Sequence, residues 1–123
     1  MIVRRLVATI SIAAIPVIVH AADIAAGKTI FERCKICHAI EADHQSPVGP
    51  NLHGIFGRKA GSLDGFAYSA AMKESGIVWN DDTLAKYLKS PREFIPGNRM
   101  AFPGIKDDAQ LADLIAYLHQ AAQ

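Results

Sequence analysis

The sequence contains very little cysteine. Its only two cysteines, Cys34 and Cys37, both lie in the stretch RCKICHAI. A structural zinc site needs four ligands, usually arranged as two closely spaced pairs of Cys or His. No third cysteine exists, and the histidines that follow, His44, His53 and His119, are scattered along the chain. The missing second pair argues against a zinc site.

The sequence also lacks an excess of charge of either sign. Its 13 basic and 12 acidic residues give a formal net charge of +1. Such a chain has no overall basic field that could hold nucleic acid or an anionic membrane surface. We therefore expect no nucleic-acid partner, and any electrostatic docking must come from the local placement of charges.

A hydrophobic run long enough to span a membrane is missing as well. The run over residues 6–19 is interrupted by Pro16, and it falls short of the roughly 18 to 20 residues that a spanning helix requires. Arg4 and Arg5 precede the run, and Val19 and Ala21 occupy the −3 and −1 positions of a cut after Ala21. A basic start, an apolar centre and small residues before a cleavage point are typical of a secretory signal peptide.

The predicted signal peptide, called the leader below, determines the predicted domain organisation and cellular location. We expect residues 1–21 to be a cleaved signal peptide and residues 22–123 to be a single domain, exported to a bacterial periplasm as a monomer without stable membrane insertion. An uncleaved N-terminal anchor is the less favoured alternative. Cleavage removes two arginines and no acidic residue, so the formal net charge changes from +1 to −1. An oxidising compartment would not leave two nearby thiols idle unless something occupies them.

The exported chain predicts an all-α fold without a convincing strand or internal repeat. Caps, apolar periodicity and helix-stopping residues predict helices in four places. They run from Asp23 to Cys34, from Ser69 to Ser75 before Gly76, from Asn80 or Asp81 to Ser90, and from Asp107 or Asp108 to the end. A long connection rich in Gly and Pro, Ala39 to Gly65, needs something to wrap around. Helices of modest length bury little surface, so a domain of this size benefits from a cofactor or cross-link.

The cysteine motif has several possible meanings. A redox dithiol would begin a helix after a strand, and no such context is visible. A plain disulfide would explain neither the adjacent His38 nor the under-filled interior. Covalent haem attachment explains both, because C-x-x-C spacing suits the two vinyl groups on one edge of a porphyrin. The histidine that follows can then ligate the iron.

A second axial ligand can come from one of two methionines in the exported chain. Met72 lies in a predicted short helix, where core packing is the simpler interpretation. Met100 lies in IPGNRMAFPGI, a loop bounded by Pro-Gly pairs on both sides. Such a loop can present a thioether to iron without distorting a helix, so Met100 is the preferred sixth ligand.

The chain resembles class I cytochrome c over nearly all of residues 22–123. The resemblance runs in order through GKTIFERCKICHAIE, VGPNLHGIFGRKAG, GFAYSAAM, GIVWNDDTLAKYLKSPREFIPGNRMAFPGI and LADLIAYLHQ. It implies three main helices plus short helices and long loops wrapped around one haem c. The first and last long helices should cross at positions matched by Gly27, Phe31, Leu114 and Tyr117.

The resemblance also implies roles for individual residues. Cys34 and Cys37 would form the two thioethers, and His38 and Met100 would ligate the iron. The carbonyl of Pro50 would accept the free ring N–H of His38, and Tyr87 would hydrogen-bond near the Met100 sulfur. Arg58, Tyr68 and Trp79 match positions that engage the haem propionates. From composition alone, aromatic core packing for Tyr68 and Trp79 and a solvated loop charge for Arg58 would be preferred.

The implied function is single-electron transfer with no catalytic residue. The chain would shuttle electrons, in respiration or photosynthesis, between a membrane quinol:cytochrome c oxidoreductase and a terminal oxidase or another acceptor. A haem peroxidase and a small-gas sensor are the alternatives, and both would require Met100 to leave the iron. A peroxidase would also need an acid–base residue, for which His44 and His53 are candidates only by residue type.

Two departures from the family bear on partners and on the site. The positions around the exposed haem edge hold a mixture of charges, so we expect a partly basic docking face for membrane redox complexes. The basic residues there are Arg33, Arg92, Arg99 and Lys106, and the acidic ones are Glu93 and Asp107. Met72 occupies a position near the haem where the family often has a polar residue.

Overall fold

The computed structural model describes residues 10–16 and 21–123. Most of the predicted signal peptide, residues 1–9 and 17–20, lies outside the described residues. The described chain contains five helices and no strand, which confirms the all-α prediction. The helices are α1 (Ile24–Phe31), α2 (Ala70–Glu74), α3 (Asp81–Lys89), α4 (Pro91–Phe94) and α5 (Asp108–Ala121). Within the described ranges, none of the helices is both long and apolar enough to cross a membrane.

Helix α1 begins where its cap predicts and ends earlier than expected. The side chain of Asp23 accepts a hydrogen bond from the Ala26 N–H at 3.1 Å, which satisfies one of the free donors at a helix start. The predicted end at Cys34 is wrong, because α1 ends at Phe31 and the chain continues in hydrogen-bonded turns. The Cys34 N–H donates to the Phe31 carbonyl at 2.8 Å, and the His38 N–H donates to the Cys34 carbonyl at 2.9 Å.

Helices α1 and α5 cross at a glycine, as the resemblance implied. A Cβ atom on Gly27 would overlap the backbone of Asp113 and lie 2.8 Å from the Cβ of Tyr117, so only glycine permits this approach. Next to the crossing, the rings of Phe31 and Tyr117 have centroids 5.4 Å apart. Helix α5 turns a buried face toward the interior and forms one of its walls. Leu114 lies on this face and is only 1% exposed.

Helix α3 and the unpredicted helix α4 form a second packed unit. The side chain of Asn80 accepts from the Thr83 N–H while the Thr83 hydroxyl accepts from the Asn80 N–H, a reciprocal cap at the start of α3. Such caps contribute about 1 kcal/mol to helix stability. Helix α4 starts directly afterwards at Pro91, because proline suits the first helical position, where no N–H partner is needed.

The long connection after the cysteines wraps around the helices and is tied back to them. The Gly57 N–H donates to the Trp79 carbonyl at 2.7 Å, and the Trp79 N–H donates to the Arg58 carbonyl at 2.9 Å. The Gly54 N–H donates to the Ala122 carbonyl at 2.6 Å, just after α5. These bonds hold the connection against one side of the interior and leave a space between it and α3.

Candidate functional site

A cavity of about 480 Å³ lies between the wrapping connection and the helices. Its wall is mainly apolar and includes Leu52, Ile55, Leu84 and Leu118. Every residue proposed for the site from sequence also lines this cavity. These residues are Cys34, Cys37, His38, Pro50, Arg58, Tyr68, Trp79, Tyr87 and Met100. The fold therefore brings together residues that lie up to more than sixty positions apart in sequence.

His38 is held directly through its side chain. Its Nδ1 lies 2.7 Å from the Pro50 carbonyl oxygen, so Nδ1 carries the proton that is donated and Nε2 keeps its lone pair. Burial lowers the pKa of His38, and the bond to Pro50 acts in the opposite direction. The resulting neutral imidazole is the form that binds metals.

Gly49 packs against the ring of His38. A Cβ at this position would lie 2.7 Å from Nδ1 and 2.8 Å from Nε2 of the imidazole, which is closer than nonbonded atoms can approach. The glycine therefore lets the backbone approach the ring. Sequence reasoning did not single out Gly49, although its place one residue before Pro50 was a usable signal.

The two cysteines line the cavity and are not joined to each other by a disulfide. Burial raises the pKa of the Cys34 thiol; the nearby Arg33 opposes this shift and Cys37 adds to it. No described group of three or more His, Cys, Asp or Glu side chains could hold a metal ion. Within residues 10–16 and 21–123, the cysteines thus have no metal cluster to join.

Met100 lines the same cavity from the loop between α4 and α5, and it is held through its backbone. Its N–H donates to Asn98 Oδ1 at 3.0 Å, and its carbonyl accepts from the Phe102 N–H at 2.9 Å. Met72, the less favoured ligand candidate, also lines the cavity from α2. Asn98 was missed in the sequence, since nothing local indicates that its side chain reaches other elements.

Tyr87 and Trp79 pack together on the methionine side. Their ring centroids are 5.0 Å apart, and both are buried. The Tyr87 hydroxyl donates to Asn98 Oδ1 at 3.2 Å, so its partner is an amide within the methionine loop. Burial raises the pKa of Tyr87 to about 12, which keeps the phenol neutral and able to donate.

Arg58 and Tyr68 contribute the polar groups at another part of the wall. Arg58 donates from Nη1 to the Asn51 carbonyl at 2.8 Å and from Nη2 to the His53 carbonyl. Burial lowers the pKa of Arg58, and Tyr68 opposes this shift. The guanidinium is therefore fixed by loop carbonyls at the cavity wall, which is a suitable position for pairing with an anionic group.

The donor set and the cavity fit a haem. The two cysteines, the neutral ring of His38 and the side chain of Met100 all line one cavity whose wall is mainly apolar. Imidazole with thioether is an established axial pair for haem iron.

Comparisons with known proteins agree on one family. The family model described as cytochrome c matches residues 24–122. Cytochrome c from Gibberella zeae is 48% identical over 102 residues, which cover 82% of this chain and 96% of that protein. Cytochrome c2 from Blastochloris viridis is 45% identical over 100 residues, which cover 81% of this chain and 79% of that protein. The solved structure of cytochrome cH from Methylobacterium extorquens aligns with a TM-score of 0.75 at 44% identity and covers 80% of this chain and 99% of its own.

Proposed function

The chain belongs to the cytochrome c family and is an electron carrier with one covalently attached haem c, and from this premise we propose that His38 and Met100 are the axial ligands of its iron. Cys34 and Cys37 would hold the haem through thioethers. The observation that carries this proposal is that His38 and Met100 line one apolar cavity from separate segments. When bound, the haem takes up and releases one electron at a time.

The protein groups prepare the site for this role. The Pro50 carbonyl fixes the tautomer and orientation of His38, and hydrogen bonding of this kind raises the basicity of a ligating imidazole. The apolar wall excludes water, and exclusion of water favours the iron state with less charge. Arg58, Tyr68 and Trp79 would donate to the propionates at the cavity wall.

The arrangement supports a carrier over a haem enzyme. An enzyme would need an acid–base side chain on the methionine side of the cavity. His44 and His53, the candidates by residue type, do not line the cavity. Since His38 and Met100 would fill both axial positions, the residues of the site bind and shield the haem without handling a substrate.

The location and processing of the chain form part of the same proposal. We place cleavage after Ala21 and the domain 22–123 in the periplasm of a bacterium. The described part of the leader supports this, because Ile10, Ile12 and Ile15 are 88%, 90% and 86% exposed. A removable apolar leader is expected to lack contacts with the mature fold.

The proposed partners are membrane redox complexes that dock transiently. Arg33 and Arg99 are exposed and line the cavity, so positive charge lies beside the site. Glu93 and Asp107 are exposed as well and reduce the positive field of the face. The donor would be a quinol:cytochrome c oxidoreductase and the acceptor a terminal oxidase or another complex, in respiration or photosynthesis.

A spectrum and a mass of the exported protein test this proposal. We expect the intact mass of residues 22–123 plus one haem, a reduced-minus-oxidised spectrum of a c-type haem, and no rapid spectral change when carbon monoxide is added to the reduced protein at neutral pH. A rapid change with carbon monoxide would show an open axial position and contradict the carrier. A mass that retains residues 1–21 would contradict cleavage alone.

A further inference from the structure

Asn98 uses the full hydrogen-bonding capacity of its side chain. Its Oδ1 accepts from the Tyr87 hydroxyl at 3.2 Å and from the Met100 N–H at 3.0 Å. Its Nδ2 donates to the Pro91 and Ile95 carbonyls, both at 2.8 Å. An amide side chain has two donors and two acceptor lone pairs, so all four are satisfied. The pattern also fixes the amide orientation, because a flipped amide would set oxygen against two carbonyls.

The four bonds connect three parts of the molecule. Tyr87 belongs to α3 and is buried against Trp79. Pro91 is the first residue of α4 and is fully buried, and Ile95 caps the end of that helix. Asn98 therefore joins the backbone of the methionine loop to two helices that are themselves anchored in the core.

Met100 has few other anchors. Its carbonyl accepts from the nearby Phe102 N–H, a bond within the same loop. Among the hydrogen bonds of the described residues, none reaches the Met100 sulfur, and the Tyr87 hydroxyl gives its proton to Asn98. The position of the thioether thus depends on the backbone, and the backbone depends on Asn98.

Building on the proposed ligation by Met100, we infer that Asn98 is a positioning residue that keeps the Met100 thioether at the iron, and that Tyr87 supports the ligand through Asn98. Removing the amide leaves the Met100 N–H and the buried Tyr87 hydroxyl without their partner. An unpaired buried polar group costs more than the net value of its bond. The loop should then release Met100 more readily.

Imidazole binding to the oxidised holoprotein tests this inference. Free imidazole competes with the thioether for the iron, so its apparent affinity reports how firmly Met100 is held. We expect Asn98→Ala to bind imidazole roughly tenfold more tightly than wild type. Asn98→Thr keeps one hydroxyl acceptor and should show a smaller increase. Tyr87→Phe should also show a smaller increase, and Tyr87→Phe combined with Asn98→Ala should not exceed Asn98→Ala alone.

A matched control exists on the histidine side of the cavity. The side chain of Asn51 also holds a loop through hydrogen bonds. Its Nδ2 donates to the Glu41 and His44 carbonyls at 2.9 and 2.8 Å, and its Oδ1 accepts from the His53 N–H at 2.7 Å. Asn51→Ala should lower the thermal stability without changing the imidazole affinity. Hydrogen exchange supplies a second readout, because the Met100 N–H should lose protection in Asn98→Ala and keep it in Asn51→Ala.

The outcomes separate the two proposals. If wild type shows methionine ligation and Asn98→Ala binds imidazole like wild type, the role of Asn98 is wrong and the ligation by Met100 stands. If Asn51→Ala raises the affinity as much as Asn98→Ala, the effect is general loosening and the inference is overturned. If wild type lacks methionine ligation, both proposals fall. Should Asn98→Ala not fold, Asn98→Thr and Tyr87→Phe decide between the same outcomes.

Discussion

The two sides of the cavity hold their proposed ligands in different ways. On the histidine side, the His38 side chain is itself hydrogen-bonded to Pro50 at 2.7 Å, and Gly49 packs on its ring. On the methionine side, the described hydrogen bonds of Met100 all involve its backbone: its N–H donates to the side chain of Asn98, and its carbonyl accepts from the Phe102 N–H. The histidine side is therefore built by the backbone of Gly49 and Pro50, in the connection that follows the cysteines. The methionine side depends on the side chain of Asn98 and its bonds to α3 and α4, so it should be the first to open.

The largest effect is expected from crowding the histidine side with Gly49→Ala. The new Cβ would meet the His38 ring, and the ring or the loop must shift to make room. Overpacking of this kind costs about 2–3 kcal/mol of unfolding free energy, which denaturant unfolding of the holoprotein measures. The yield of protein with attached haem should fall too, because His38 would lose its bond to Pro50.

Gly65→Ala is the matched control for this substitution. A Cβ at Gly65 has no atom within 4 Å, so only the left-handed backbone angle, φ 81°, opposes it. That cost is about 1 kcal/mol. Equal destabilisation by Gly49→Ala and Gly65→Ala would show that the contact with His38 is unimportant.

The second effect concerns the methionine side at alkaline pH. Burial raises the pKa of Tyr87 to about 12 from the ordinary value of 10. A group whose pKa is higher in the folded state stabilises the fold fully below its unfolded pKa, and this stability is lost as the pH rises through the folded value. We expect a loss of about 2 kcal/mol between pH 10 and 12. Urea unfolding across this range measures it.

Tyr87→Phe should remove this part of the alkaline loss, since phenylalanine has no proton to release. Tyr117→Phe is the control and should keep the loss, because Tyr87 remains in place. A wild-type stability that stays flat between pH 10 and 12 would contradict the assignment.

The smallest effect is expected from removing one positive charge on either side of the cavity. Arg33 lines the cavity from the cysteine segment and Arg99 from the methionine loop. Arg33→Gln and Arg99→Gln should each slow association with an acidic redox partner by roughly two- to threefold at low ionic strength, with the difference vanishing in high salt. Stopped-flow measurement is the test, and Lys86→Gln, which lies outside the cavity wall and pairs with Asp82 at 2.9 Å, is the control. Association rates that do not change with ionic strength would contradict a basic docking face.

Local chemistry in the sequence predicted much of the fold. Asp23, Ser69 and Asn80 each cap the helix that follows, and Gly76 has the left-handed backbone that was expected after α2. These features are predictable because a cap involves residues only two or three positions apart. The crossing at Gly27 came from the resemblance and agrees with the structure.

The errors and omissions arise from contacts that are distant in sequence. The periodicity of α1 continues to Cys34, yet the helix ends at Phe31 because the chain turns to bring the cysteines and His38 to the cavity. The predicted helix end at Ser90 treats the following Pro91 only as a stop, although proline also begins helices well, and α4 starts there. The contacts of Asn98 with Tyr87 and Pro91 depend on how α3 and α4 pack, which no local pattern encodes.

The central claim is that Met100 completes a haem site begun by His38, and the sulfur-to-iron absorption band of the oxidised protein tests it most directly. The band should be present in wild type and in Met72→Ala and absent in Met100→Ala, while all three proteins carry covalently attached haem. A band that survives in Met100→Ala, or that disappears in Met72→Ala, would contradict the claim.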